Sequence, residues 1–308
     1  MVKYNRSLMT GFAAAMQRAD VADVVVEKDR PGQPDKGKVF VAVHAHLDDI
    51  PYYAAGLCTK LMREGYTGYL IRTSNDEKRG GGTTAQNILS NEQEHIKMAA
   101  ALGFKDVFDL YYQNHEMDGI SSLDIRGRLI LLFRFLRADT VISFNPWGHG
   151  EENPDHWVTG RAVEQACWMC GVRNDFEEHA EAGVQPHEVL ERYYFHGRPG
   201  QPFNRVVDIS AHIEKKIDAI VECKAQGGGN LGSQLRARLA SERKRLALLG
   251  NDDRTADRAY VRQFLLDDDR EYGKPHNLAF AERFYYIDQR RKEKSKVDEY
   301  VEKNAVLL

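Results

Sequence analysis

The chain has 308 residues and a formal net charge of −3 at pH 7. That length suits one large α/β domain or two small ones, and so near-neutral a charge gives no basis for binding nucleic acid or an anionic membrane surface. The start, MVKYNRSLMTGFAAAMQRAD, is interrupted by Arg18 and Asp20 and lacks the long apolar core of a signal peptide. No apolar run approaches the ~18 residues of a membrane span. The four cysteines are Cys58, Cys167, Cys170 and Cys223. Cys167 and Cys170 form a CxxC with no second CxxC to complete a zinc site, so all four read as buried thiols of a cytoplasmic protein.

Residues 1–37 read as an N-terminal extension, with a short helix over Leu8–Arg18 and a linker, EKDRPGQPDKGK, at its end. Residues 38–308 read as a single domain. It opens on KVFVAVHAHLDDIP, Lys38 to Pro51. Val39 to Val43 is a short apolar run rich in β-branched residues, the pattern of a strand buried on both faces. It ends in His44, His46, Asp48 and Asp49, and then Tyr53, Leu57, Leu61 and Met62 recur at helical spacing. Ligands of open α/β sheets bind at the carboxyl ends of strands.

His46 and Asp49 are three residues apart and can converge on one point if a helix begins near Leu47. Asp48 then stands beside that point without binding it. Imidazole plus carboxylate is a metal-ligand pair, though zinc needs a third ligand from elsewhere. The plainer alternative is that both aspartates only cap the helix, where negative charge is favoured.

Gly65 stops the helix, and a strand follows over Tyr66–Thr73. The polar loop SNDEKRGGGTTAQN, with Gly80 to Gly82, reads as a mobile rim beside the site. It matches neither a dinucleotide fingerprint nor a P-loop. A helix over Ser90–Leu102, a strand over Val107–Tyr111, a helix over Leu123–Leu136 and a strand over Thr140–Phe144 follow. This rhythm predicts a Rossmann-like α/β fold, a mostly parallel sheet with helices on both faces. Right-handed crossovers put every carboxyl end on one edge, and there the metal site is expected.

The strand Thr140–Phe144 runs into a second polar cluster: Asn145, His149, Glu151, Glu152, Asn153, Asp155 and His156. In a parallel sheet the two clusters can meet. His156 then supplies the third ligand, and His46, Asp49 and His156 leave an open position for water, as in a catalytic zinc site. Asp155 is placed to orient an imidazole from behind. Taken alone, His156 reads equally as a solvent-exposed histidine at a helix start.

Further on, Arg173–Glu191 is acidic and reads as a surface insertion. Tyr193–Phe195 reads as a strand, and Ala211–Ala225 as an amphipathic helix broken at Gly227–Gly229. Gln234–Leu249 reads as a basic helix with a solvated face, not a nucleic-acid surface. The end, DQRRKEKSKVDEYVEKNAVLL, reads as a charged helix or tail able to pack on another subunit of a homo-oligomer.

AHLDD at 45–49, followed by NPDH at 153–156, resembles the PIG-L or LmbE-like family of zinc-dependent N-deacetylases. Looser echoes are Ser74–Gly80, the acidic start before AAALGF, and VVDISAHIEKKIDAIVECKAQ over 206–226, with a weaker one in AFAERF at 279–284. The resemblance implies that His46, Asp49 and His156 bind Zn²⁺, with Fe²⁺ an alternative, and that Asp48 is the general base. It also implies a small N-acetylated substrate of the N-acetylglucosamine type. Leu47 stands where the family has Pro. Asn153 stands where several members have the His that stabilises the oxyanion, and His149 is a substitute donor for that task. Two other readings stay open: an amidohydrolase acting on a non-sugar amide, and a non-catalytic ligand-binding member of the fold.

Overall fold

Successive side chains of Val39–His44 (β2) alternate between two apolar layers, as a buried strand requires. The structure, a computed structural model, describes residues 24–195, 198, 200–290 and 295–306. The helix expected over Leu8–Arg18 lies outside the described residues. An edge strand, β1 (Val25–Glu27), falls within the segment read as an extension. After β2 come α1 (Asp49–Tyr53) and α2 (Ala55–Arg63), β3 (Thr67–Ser74), α3 (Thr84–Leu102) and β4 (Asp106–Tyr112). Then follow α4 (Ser122–Leu136), β5 (Thr140–Phe144), α5 (Pro154–Met169), the short α6 (Glu177–Glu181), β6 (Glu191–Phe195) and β7 (Arg205–Asp208). The chain continues through α7 (Ile213–Glu222), α8 (Leu231–Ser241), α9 (Asp253–Phe264) and α10 (Asp267–Gly273) to β8 (Ala281–Asp288) and α11 (Lys296–Asn304).

The strands form one eight-stranded sheet in the order β1-β7-β8-β6-β5-β2-β3-β4. All are parallel except β8, which runs antiparallel to β6 and β7. The mostly parallel α/β sheet expected from the sequence is therefore present. Phe40 and Ala42 face one layer, with Leu57 and Leu61 of α2, Met98 and Leu102 of α3, and Ile217 and Ile220 of α7. Val41 and Val43 face the other, with Ile125, Leu129 and Phe133 of α4 and Val163 and Ala166 of α5. Burial of each such side chain contributes about 1.5–3 kcal/mol.

Four elements differ from expectation for local reasons. The helix after β2 breaks at Ala54, whose φ of −146° ends α1 before α2 begins. The next helix starts at Thr84 rather than Ser90, because Thr83 and Gln86 form a reciprocal capping box. The expected basic helix stops at Ser241: Arg243 takes φ 53°, and the Lys244 N–H bonds back to the Leu239 carbonyl. The segment around AFAERF is a full strand, β8, inserted between β6 and β7.

Strand β8 is anchored by charge. The Lys216 ammonium is fully buried and donates to Asp269 (2.8 Å), Glu282 (3.0 Å) and the Tyr52 carbonyl (2.6 Å). Glu282 also accepts from the backbone N–H groups of Gly56 and Leu57 at 2.9 Å. Removing one member of such a group leaves uncompensated buried charge. Lys216→Ala is therefore expected to lose roughly 3–5 kcal/mol of stability, read as the shift of a urea-unfolding midpoint. A loss below ~1 kcal/mol would show that the carboxylates relax into water.

Candidate metal centre

Strands β2 and β5 are neighbours, with Phe40 opposite Thr140 and Ala42 opposite Ile142. Their carboxyl ends therefore deliver both polar clusters to one edge. After β2, Asp49 folds back on its own loop, and its Oδ2 accepts from the N–H groups of Ala45 (3.1 Å) and His46 (2.7 Å). Asp76, at φ 54°, accepts from the Leu47 N–H at 3.0 Å and pairs with Arg72, fixing the same loop from β3. Asp48 occupies the N-cap position of α1 but makes no side-chain cap hydrogen bond. Capping therefore does not account for either aspartate.

After β5, Asn153 caps α5 by accepting the Asp155 N–H at 3.0 Å, and Pro154 fills the first helical turn. Gly160 lets α5 seat closely, since a Cβ there would come 3.0 Å from the Phe144 carbonyl oxygen. The Phe144 ring then stacks on His156 at 4.3 Å.

The ligand atoms converge. His46 Nδ1 lies 3.0 Å from His156 Nε2, and the Asp49 carboxylate is 3.7 Å from the first and 3.4 Å from the second. The far nitrogens face carboxylates: His46 Nε2 is 3.0 Å from Asp155, and His156 Nδ1 is 3.2 Å from Glu151. Asp155 is fully buried and also accepts from Asn114 (2.9 Å) and the His115 N–H (2.7 Å). At His46, whose Nε2 is hydrogen-bonded to Asp155, this is the carboxylate–histidine arrangement that fixes a tautomer and leaves the other nitrogen free for a metal. Two imidazole nitrogens and one carboxylate oxygen within 4.8 Å of one another fit a divalent metal with an open position. Burial disfavours charge on His46, but Asp155 and Asp49 outweigh it and hold its proton affinity well up. Burial and the adjacent Asp49 push the Asp48 carboxyl up to about 7.

A cavity of about 550 Å³ opens over these groups. His46, Asp48, Asp49, Asn153 and His156 line it together with His115 and Tyr52. Lys78, Arg79 and Gly80 place part of the glycine loop at its rim, as expected. That loop is held rather than loose: Asn87 and Asn91 of α3 bond the backbone of Glu77, Asp76, Arg79 and Gly82. Gly227, at φ 77°, closes over the carboxylate: a Cβ there would be 2.7 Å from Asp48 Cβ. His149 is a correction. It is exposed and lines a separate cavity with Trp147 and Trp157, because the β5–α5 loop turns it away before Asn153 starts the helix. Sequence reasoning missed His115 and Gly227. His115 follows the carboxyl end of β4, and that position was its only signal.

Behind the site, His44 and His95 are both fully buried. His44 Nδ1 is 2.5 Å from the His46 carbonyl oxygen, so Nδ1 carries the proton, and Nε2 meets His95 Nε2 at 3.1 Å. His95 Nδ1 faces Asp109 at 3.5 Å, and Arg72 donates to Asp109 at 2.6 Å. Burial raises the Asp109 carboxyl, but the Arg72 guanidinium bonded to it more than offsets this and holds it below the usual carboxylate range. A depressed carboxylate stabilises the fold above its unfolded value and loses that contribution as pH falls through the folded one. The contribution of Asp109 itself is therefore expected to be constant above pH ~4 and to fall by about 1–2 kcal/mol toward pH ~2, a share of the acid dependence that Asp109→Asn removes. An unchanged acid-unfolding curve in the variant would refute the assignment.

Residues 41–167 match the profile of the PIG-L family, described as GlcNAc-PI de-N-acetylase. Those residues are similar to a PIG-L domain. Both clusters of the metal centre fall inside it. The chain is also 26% identical over 191 residues to the diacetylchitobiose deacetylase of Thermococcus kodakarensis, covering 59% of this chain and 68% of that protein. Among solved structures it resembles N,N′-diacetylchitobiose deacetylase of Pyrococcus horikoshii, with a TM-score of 0.66, 17% identity, and 97% and 100% of the two chains covered. It also resembles 4-carboxy-2-hydroxymuconate hydratase of Pseudomonas putida, with a TM-score of 0.56, 17% identity, and 83% and 98% covered. Those two likenesses are of fold. Because a hydratase shares it, the fold does not by itself choose the reaction.

Proposed function

We propose that the protein is a metal-dependent N-deacetylase acting on a small N-acetylated sugar of the N-acetylglucosamine type. The observation that carries this reading is the convergence of His46 Nδ1, Asp49 and His156 Nε2 beside an unligated Asp48, within residues similar to a PIG-L domain. The relative from Thermococcus kodakarensis, a diacetylchitobiose deacetylase, supports the substrate class. His46, Asp49 and His156 would hold the metal, and Zn²⁺ suits their donor set, with Fe²⁺ the alternative. A bound divalent ion would supply Lewis acidity toward the acetyl carbonyl and an acidified water.

The chain's own residues do the rest. Asp48, half-buried at the cavity wall and poised near neutral pH, takes the proton of the attacking water and later returns it to the leaving nitrogen. Asn153 spends its Oδ1 on the helix cap, so its amide N–H is the end left for the oxyanion. His115, opposite, is a second donor to the same cavity, and this role replaces the one expected of His149. Asp155 orients His46 through Nε2. Acetate and a free amine leave. The four reduced cysteines are consistent with a cytoplasmic setting, and no helix among the described residues is long and apolar enough to cross a membrane.

The test is acetate release from N-acetylglucosamine and its β-1,4-linked oligomers by protein loaded with one metal per chain. Acetate release that is lost on chelation and restored by Zn²⁺ or Fe²⁺ is the expected result. Metal binding without acetate release from any N-acetyl sugar would overturn it.

A further inference from the structure

The buried face of α3 changes character along its length. Its carboxyl half is apolar, with Met98, Ala99 and Leu102, but its amino half is Asn87, Asn91 and His95. These positions recur at spacings of three and four, so they share one face. Because α3 follows β3, it starts at the carboxyl edge of the sheet, where the metal cavity lies. The polar half of its buried face therefore stands beside that cavity.

Asn91 is fully buried, and both ends of its amide are used. Its Nδ2 donates to the carbonyls of Arg79 (2.8 Å), Asn87 (2.9 Å) and Asp76 (3.2 Å). Its Oδ1 accepts from Gln226 Nε2 at 3.3 Å. One turn on, Glu94 Oε2 accepts from the backbone N–H groups of Lys224 and Ala225, both at 2.8 Å. Arg79 and Gly80 line one part of the metal cavity, and Ala225, Gln226 and Gly227 line another. Neither segment lies in a helix or strand, so neither has a regular backbone ladder to hold it. The Tyr52 hydroxyl adds a tether from α1, donating to the Gly227 carbonyl. An aliphatic side chain at position 91 would fill the space without the cost of desolvating an amide. What the amide adds is a bond to each wall.

The geometry points to Asn91 as a positioning residue. Together with Glu94 it ties the glycine loop and the Ala225–Gly227 segment to one helix, and so fixes the width of the cavity in which the acetamide is held beside Asp48. The inference rests on the deacetylase reading for the reaction it serves. The metal ligands and Asp48 are held by other elements, the loop after β2 and the start of α5. Loosening the two walls therefore weakens the hold on the bound molecule rather than the chemical step, and the loss falls on KM.

The test uses the full chain with one metal per chain and N,N′-diacetylchitobiose as the substrate. Asn91→Ala is expected to raise KM about tenfold, with kcat within about threefold and metal content unchanged. Glu94→Ala should raise KM about threefold, and the double variant should lose less than the product of the two, because either change already frees the same clamp. Amide hydrogen exchange gives a readout free of turnover. Asn91→Ala should speed exchange at residues 79–82 and at 226–229 together, while β2 and β5 stay as protected as before. A fall in kcat at unchanged KM, a fully multiplicative loss in the double variant, or faster exchange confined to residues 79–82 would overturn the clamp. Faster exchange throughout the sheet would do the same, by making Asn91 a general stabiliser. Should Asn91→Ala not fold, Glu94→Ala, at a half-buried position, carries the same KM and exchange readouts. Coupled exchange in both segments without acetate release from any N-acetyl sugar would sink the deacetylase reading and leave the clamp standing. Turnover with KM and exchange unchanged in the variants would do the reverse.

Discussion

Replacing His156 with alanine is expected to weaken metal binding by roughly 10²–10³-fold and to abolish acetate release at stoichiometric metal. Structural zinc binds with about 10–16 kcal/mol, and each of three protein donors carries a share of order 3 kcal/mol. His156 Nε2 is one of only two nitrogens at the convergence point, and it faces His46 Nδ1 at 3.0 Å. The neighbour supplies the control. Asp155 touches His46 only through Nε2, on the side away from the convergence point. Asp155→Asn should therefore cost only about 10–100-fold in metal affinity, the usual scale for a group behind a ligand. Metal analysis after dialysis against graded chelator separates the two. Full occupancy in His156→Ala would remove the site. Metal retention should also fall in acid, because Asp155 and Asp49 favour a proton on His46, which competes with the ion.

The second large effect separates adjacent, chemically identical side chains. Asp48→Asn is expected to keep its metal and to lower kcat by about 10²–10⁴-fold, the range for loss of a general base. Asp49→Ala should instead weaken metal binding, with activity partly restored by excess ion. The distinction comes from surroundings. The Asp49 carboxylate is tied to the N–H groups of Ala45 and His46 and lies 3.4 Å from His156 Nε2. Asp48 makes no cap hydrogen bond and lies under Gly227, where burial and the Asp49 charge push it up to about 7. An amide fills the same volume without basicity, so the loss reads on kcat rather than on KM. If Asp48→Asn loses metal while Asp49→Ala keeps it, the two roles are exchanged. If turnover in Asp48→Asn is unchanged, the base lies elsewhere, and His115 is the next to examine.

Local sequence determined much of this. The β-branched run of Val39–Val43, ending in His44, His46, Asp48 and Asp49, marked both a buried strand and a ligand cluster. The pattern of Thr140–Phe144 did the same for Asn153, Asp155 and His156. Those signals are short-range, because side-chain period and polar breaks follow from a few consecutive residues. What the sequence left undetermined was long-range. That β2 and β5 are neighbours, so that His46 meets His156 across 110 positions, is a property of strand order. The removal of His149 to a cavity with Trp147, and the arrival of His115 and Gly227 at the metal cavity, depend on where three loops end in space. Strand β8 is the same case at the level of fold. Its place between β6 and β7 is held by Glu282 reaching the buried Lys216 and the N–H groups of Gly56 and Leu57, contacts that span from 66 to 226 positions. No local periodicity encodes such pairings, since they depend on which buried charges find partners only once the sheet has closed around them.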